Sequence, residues 1–238
     1  MRIGILQCGH PPPSLTEKFG DYGRMVGALF DPHHEVAIFD ATGPGLPQAV
    51  EACDAYVLTG SSAGVYDHLP WIAPLSDFVR SARGRAKLVG ICFGHQLMAE
   101  AFGGQVVKAP QGWGIGIHRY ALRHQAAWMD DGESVAVPAS HQDQVVVPPP
   151  GAAVVAHSPF TRFAGLDYGD AVSFQFHPEF TADFGVALIG MRREAYGALG
   201  EAAIASYAAP HDGRRVAGWI GRFLDMPTTA CQSLSNCA

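Results

Sequence analysis

Three side chains in this sequence have the types and spacing for covalent amide chemistry: Cys92, His177 and Glu179. Cys92 lies in Gly90-Ile91-Cys92-Phe93-Gly94, between an apolar run, Leu88 to Ile91, and a stretch of good helix formers, Gln96 to Phe102. A Gly-x-nucleophile-x-Gly sequence between a strand and a helix is a nucleophile-elbow pattern, here with Cys in the place of Ser. The two glycines let strand and helix approach around a strained turn, and the helix N-terminus favours a thiolate over a thiol. On this local pattern alone, a buried core cysteine fits as well as a nucleophile. A second stretch, Val172 to Glu179, reads as a strand that ends at His177 and is stopped by Pro178. A thiol nucleophile needs an imidazole to take and return its proton, and a carboxylate to orient that imidazole. A lone histidine at a strand end is more often structural, but His-Pro-Glu downstream of a cysteine elbow favours the catalytic reading.

Taken together, Val89 to Gln96 and Phe174 to Glu179 resemble the class I (triad) glutamine amidotransferase domain. The chain is most similar to the stand-alone branch likened to the amidotransferase half of GMP synthase, over about residues 1 to 180. The resemblance implies a flavodoxin-like α/β fold, a doubly wound and mostly parallel sheet with helices on both faces and an added antiparallel region between roughly 105 and 176. It implies an oxyanion hole built from the backbone amide of Gly60 or Ser61 facing that of Phe93. On composition alone, the Gly60 to Val65 loop is an ordinary strand-to-helix connection. The resemblance also implies that Gln96 and the segment Ser140, His141, Gln142 and Asp143 recognise the amino-acid end of the substrate, largely through backbone atoms. Family members commonly carry Gly where Gln142 stands. Without the resemblance, that segment is equally a polar hairpin turn. His95 is read as a packing or hydrogen-bonding residue, whose protonated form would help the thiolate electrostatically.

The expected chemistry is hydrolysis of a glutamine or γ-glutamyl substrate through a γ-glutamyl thioester on Cys92, with no cofactor and no metal. The leading expectation is an amidotransferase that delivers ammonia to a separate synthase, since no P-loop accompanies the domain. The second is a self-sufficient γ-glutamyl peptide or amide hydrolase with the same triad. The third is a non-catalytic binding relative of the fold, which the intact Cys92, His177 and Glu179 disfavour.

The wider composition agrees with a cytoplasmic enzyme. At 238 residues and 48% hydrophobic, the chain can bury a sizeable core, read as one domain over 1–226 with a flexible tail over 227–238. The formal net charge of −6 and the lack of Lys/Arg runs argue against nucleic acid. No apolar run reaches the roughly 18 residues of a membrane span. Cys8, Cys53, Cys92, Cys231 and Cys237 contain no C-x-x-C pair, against a disulfide framework or a zinc site. Adjacent His33 and His34 would face opposite ways in an extended segment, which is poor metal-ligand spacing.

These residues need a frame to bring them together. Strands are expected over Arg2 to Cys8, Glu35 to Asp40, Asp54 to Thr59 and Leu88 to Ile91, with shorter ones from Gln105 to Phe176. Helical patterns cover Ser14 to Phe30, Trp71 to Ser81, Asp183 to Gly197, Ala202 to Ala208 and Gly213 to Asp225. Cys92, Gly60 and His177 then fall at carboxyl ends of strands, where open α/β sheets bind ligands.

Overall fold

The computed structural model describes residues 1–123 and 126–227. The chain runs β1 (Arg2–Gln7), α1 (Pro13–Phe19), α2 (Tyr22–Gly27), β2 (Glu35–Asp40), β3 (Ala55–Leu58), α3 (Ile72–Ala82), β4 (Lys87–Ile91) and α4 (Phe93–Ala101). It continues through β5 (Gln105–Lys108), β6 (Gly114–Leu122), β7 (Ser134–His141), β8 (Asp143–Val147), β9 (Ala153–His157), β10 (Gly165–Asp167) and β11 (Ala171–Phe174). Helices α5 (Ala182–Gly190), α6 (Arg193–Tyr196), α7 (Ala198–Ser206) and α8 (Gly213–Asp225) follow. Among the described residues, no helix is long and apolar enough to cross a membrane.

Nine strands form one sheet in the order β2-β1-β3-β4-β11-β10-β9-β6-β7. The first five are mutually parallel, and the rest extend the sheet antiparallel. This is the flavodoxin-like α/β arrangement, with β11 as fifth parallel strand. β5 and β8 pair as a separate antiparallel ribbon.

Alternation along the parallel strands divides the core in two. Ile3, Ile5, Val57, Val89 and Ile91 pack with Trp219, Ile220 and Phe223 of α8 on one face. Leu6, Tyr56, Leu58 and Leu88 pack with Leu75 and Val79 of α3 and Leu97 and Met98 of α4 on the other. Burying a large side chain such as Trp219 is worth about 3 kcal/mol or more against truncation. Lys87 is buried at the start of β4, where its Nζ donates to the carbonyls of Phe223 and Leu224 at 2.6 and 2.8 Å. A cation there meets the negative end of α8.

Four expectations are corrected. The helical pattern from Ser14 to Phe30 is two helices, because Gly20 turns with φ 85° and Asp21 caps α2 by accepting from the Arg24 amide. The strand expected to reach His177 ends at Phe174, and the His177 amide donates instead to Pro138 O at 2.8 Å. The helices expected over Asp183 to Gly197 and Ala202 to Ala208 are three, since Gly190 ends α5 and Gly197 turns with φ 52° between α6 and α7. His33 and His34 do not face apart: a turn closed by His34 N on Asp31 O brings their rings to 3.9 Å. The expected tail lies, from residue 228 onward, outside the described residues, as do Cys231 and Cys237.

Candidate active site

Register puts the site on three neighbouring strands. β3 pairs with β4 on one side and β11 pairs with β4 on the other, all parallel. Gly60 therefore leaves the sheet beside Cys92, and the Cys92 amide donates to Phe174 O at 2.8 Å, three residues before His177.

The elbow is strained as the pattern demands. Among the described residues, Cys92 is the only non-glycine with positive φ, at φ 53° and ψ −102°. The flanking glycines cannot be replaced without a clash. A Cβ on Gly90 would stand 2.6 Å from Gly94 O, and one on Gly94 would stand 2.7 Å from Leu58 O. A backbone held this far from the common basins costs on the order of 1–3 kcal/mol. It aims the side chain off the sheet edge, just ahead of α4, whose first-turn amides have no intrahelical acceptors.

His177 is fixed from two directions. Its Nδ1 lies 2.8 Å from Glu179 Oε1, with both side chains nearly inaccessible to solvent. Its ring stacks on Phe180, centroids 4.0 Å apart and planes within 10°. Nε2 is buried with no hydrogen-bond partner among the described residues. Burial alone would push this imidazole's pKa down, but the charges at Glu179 and Cys92 outweigh it and raise the pKa well above the usual histidine range. With Nδ1 held by Glu179, Nε2 is the nitrogen left for the site.

The backbone of Gly60 comes close to both Cys92 and His177. A Cβ there would meet His177 Cε1 at 3.0 Å and Cys92 Cβ at 3.7 Å. A side chain here would be tight against His177, and glycine lets the main chain approach both side chains without that crowding.

Cys92 and His177 open into a cavity of about 410 Å³, also lined by Gly60, Ser61, Gln96, Ser140, His141, Gln142 and Asp143. Most of the expected site residues thus converge. Two do not line it. Glu179 is buried behind His177, and Phe93 buries its ring against Trp71 at 5.4 Å, so only its amide is available. Ser140 to Asp143 is a kink where β7 leaves the main sheet and β8 joins the ribbon, rather than a hairpin turn. Gln96 Nε2 braces it by donating to Asp143 O at 2.9 Å, and Ser140 O lies 3.9 Å from Cys92 Sγ.

Several residues at or behind the cavity were not singled out from the sequence. Gln175 donates from Nε2 toward Cys92 Sγ at 3.7 Å while its Oε1 accepts from Gln96 at 3.2 Å. Its place two residues before His177 was the available signal. Tyr66 donates to Asp143 Oδ2 at 3.0 Å. Tyr22, Trp113, Leu188, Arg192 and Tyr196 also line the cavity; nothing local in the sequence marks them. His95 corrects the electrostatic expectation. It is fully buried, with Nδ1 2.7 Å from Ser173 Oγ, and burial lowers its pKa to about 3. It is neutral and structural, and supplies no charge near Cys92. Cys8 and Cys53 are buried in the core on the α3/α4 face of the sheet, and burial pushes the Cys8 thiol up to about 12.

The glutamine amidotransferase class-I family model matches residues 33–185. Gamma-glutamyl peptidase 4 of Arabidopsis thaliana is 30% identical over 191 residues, 75% of this chain and 76% of that protein. The glutamine-hydrolysing GMP synthase of Thermus thermophilus is 39% identical over 177 residues, 69% of this chain but 33% of that longer protein. In fold, a glutamine amidotransferase crystal structure from Thermotoga maritima matches with a TM-score of 0.77, covering 94% of this chain and 99% of that one at 19% identity. Strand order, elbow and family match agree: the chain belongs to the class-I glutamine amidotransferase family.

Proposed function

We propose that this protein hydrolyses γ-glutamyl amide bonds through Cys92, His177 and Glu179, and that its natural leaving group is an amino acid or peptide amine rather than ammonia. The observation that carries the first half is the buried Glu179–His177 pair beside a strained Cys92. His177 holds the proton taken from Cys92, and the thiolate attacks the γ-carboxamide carbon. The amides of Gly60 or Ser61 and of Phe93 bind the oxyanion, each donor being worth about 3 kcal/mol of barrier. His177 gives its proton to the departing amine, then removes one from water as it resolves the thioester. Gln96 and Ser140, His141, Gln142 and Asp143 hold the glutamyl end. Residues 1–226 act as one catalytic domain in this reading.

The second half rests on cavity-lining residues outside the triad. Leu188, Arg192 and Tyr196 lie beyond the residues that the family model matches, yet they face the cavity. Arg192 sits 5.7 Å over the Trp113 ring, and Trp113 meets Tyr196 edge-on at 5.6 Å. A guanidinium over an aromatic ring suits a leaving group with an apolar body and a carboxylate. Ammonia needs neither. The match to a γ-glutamyl peptidase over three quarters of both chains supports this order. The similarity to a GMP synthase supports a second reading, in which a separate synthase takes ammonia from glutamine.

The test is to give the purified chain glutamine, γ-glutamyl dipeptides and glutathione side by side. Peptide turnover of roughly 1 s⁻¹ or more is an ordinary enzyme rate. Such turnover with little on glutamine, and a KM raised by Arg192→Ala for peptides only, is expected. Glutamine hydrolysed in preference to every peptide would favour the second reading.

A further inference from the structure

At the opposite edge of the sheet, away from the strand ends that carry Cys92, the turn before β2 meets the last residue of α8. Here His33, His34 and Asp225 each present one ligand atom, and the three atoms lie within 4.8 Å of one another. His34 is the anomaly. Its side chain is 4% exposed, its Nδ1 has no hydrogen-bond partner among the described residues, and its Nε2 lies 3.8 Å from Asp225 Oδ1. That separation is too long for a hydrogen bond. A buried imidazole left without a hydrogen bond is costly, and such a group calls for a missing water or ion. A tetrahedral ion with ligands at roughly 2.1 Å would hold this ring nitrogen and carboxylate oxygen about 3.4 Å apart, so a small closing of the present gap suffices.

The neighbouring histidine is already arranged as a ligand. His33 Nδ1 lies 2.7 Å from Asp31 Oδ1, which orients the ring and leaves Nε2 as its other ligating nitrogen. A carboxylate behind a histidine is the usual support of a metal-bound imidazole. The site closes on the C-terminus of α8, whose carbonyls already draw the Lys87 ammonium, so a cation here also meets a favourable helix dipole.

We propose that His33, His34 and Asp225 bind one divalent transition-metal ion of the zinc class, with the remaining coordination position open to water. Two imidazoles and one carboxylate suit zinc, cobalt or nickel, and not magnesium or calcium, which prefer all-oxygen sites. Bound metal would tie the turn before β2 to the end of α8. It lies away from the reacting groups and takes no part in the amide chemistry.

The experiment uses the full chain carrying Cys92→Ser, so that the active-site thiol cannot compete. Cobalt(II) is titrated and followed by visible absorption, and zinc is measured after equilibrium dialysis. One equivalent with a nitrogen/oxygen-donor spectrum and no thiolate charge-transfer band is expected, with a melting temperature that rises with metal concentration. His33→Ala and Asp225→Asn alter exposed side chains and should leave the metal-free melting temperature unchanged. Each should weaken binding at least ten-fold, and Asp31→Asn should weaken it by about ten-fold through the lost support. No stoichiometric binding up to millimolar metal would overturn the proposal. So would a thiolate band, or equal binding by His33→Ala and Asp225→Asn.

Discussion

His177 lies flat on Phe180, ring centroids 4.0 Å apart, while its Nδ1 is tied to Glu179 Oε1 at 2.8 Å. Phe180 is itself wedged among Leu15, Phe184, Phe19 and Tyr22, a small core built where α1 meets α5. The His177 imidazole is therefore positioned by a stack on one face and a buried carboxylate at one nitrogen. Neither contact depends on substrate, so the ring is organised before any ligand arrives.

The two partners of His177 have separable effects. His177→Ala should abolish turnover, since proton acceptance and donation are both lost. Glu179→Gln should leave a residual rate, reduced about a hundred-fold or more, because the ring loses its orienting charge. The same change should move the alkaline limb of the pH–rate profile toward lower pH. Burial disfavours the imidazolium and the Glu179 charge offsets it, so removing that charge makes His177 lose its proton earlier. A Glu179→Gln profile that superimposes on the parent's would mean that another group orients the ring.

The parallel half of the fold was legible because its signals are local. Leu88 to Ile91 followed by Gly-x-Cys-x-Gly encodes both a buried strand and the turn after it, and the Gly90 and Gly94 contacts give the steric reason. The end of α8 at Asp225 and the core positions Val216, Trp219, Ile220 and Phe223 also follow from spacing alone. What was not legible depends on distant packing. Tyr22, Arg192 and Tyr196 line the cavity from α2, the turn before α6 and α6 itself, and no period or motif in those segments announces a wall. The break at Gly20 was hidden because the apolar positions keep nearly helical spacing across it. The family resemblance supplied Gly60, Phe93 and Ser140 to Asp143, since backbone donors leave almost no trace in side-chain chemistry.

Strain at the elbow gives a stability test. With φ 53° and ψ −102°, position 92 carries a backbone cost that a glycine would relieve. Cys92→Gly should be more stable than Cys92→Ala by about 1 kcal/mol in urea unfolding, although glycine ordinarily destabilises. Both should be inactive. A less stable Cys92→Gly would show that the elbow is not strained in solution.

Stability should also pass through a maximum slightly acid of neutral. His95 and His141 are buried with pKa values lowered to about 3 by desolvation. Between about pH 3 and 6.5 the unfolded chain binds their protons and the native chain does not, so stability falls as pH falls through that window. Each such histidine contributes a slope of about 1.4 kcal/mol per pH unit there. His177 has the opposite sign. With its folded pKa raised, its contribution is complete below about pH 6.5 and is lost as pH rises toward the folded value. Urea midpoints measured from pH 4 to 10 should rise and then fall. A midpoint that keeps climbing above pH 8 would contradict the raised pKa of His177.

The γ-glutamyl thioester on Cys92 can be sought directly. The chain is treated with a glutamine-like diazo-ketone electrophile, or quenched in acid during turnover of a γ-glutamyl substrate, then digested and mapped by mass spectrometry. The adduct, or the added γ-glutamyl mass, should fall on the peptide that contains Cys92, and should disappear in Cys92→Ser. Cys8 and Cys53, both buried with raised pKa values, should stay unmodified under the same conditions. Modification of Cys8 or Cys53 with Cys92 left untouched would contradict the assignment of Cys92 as the nucleophile.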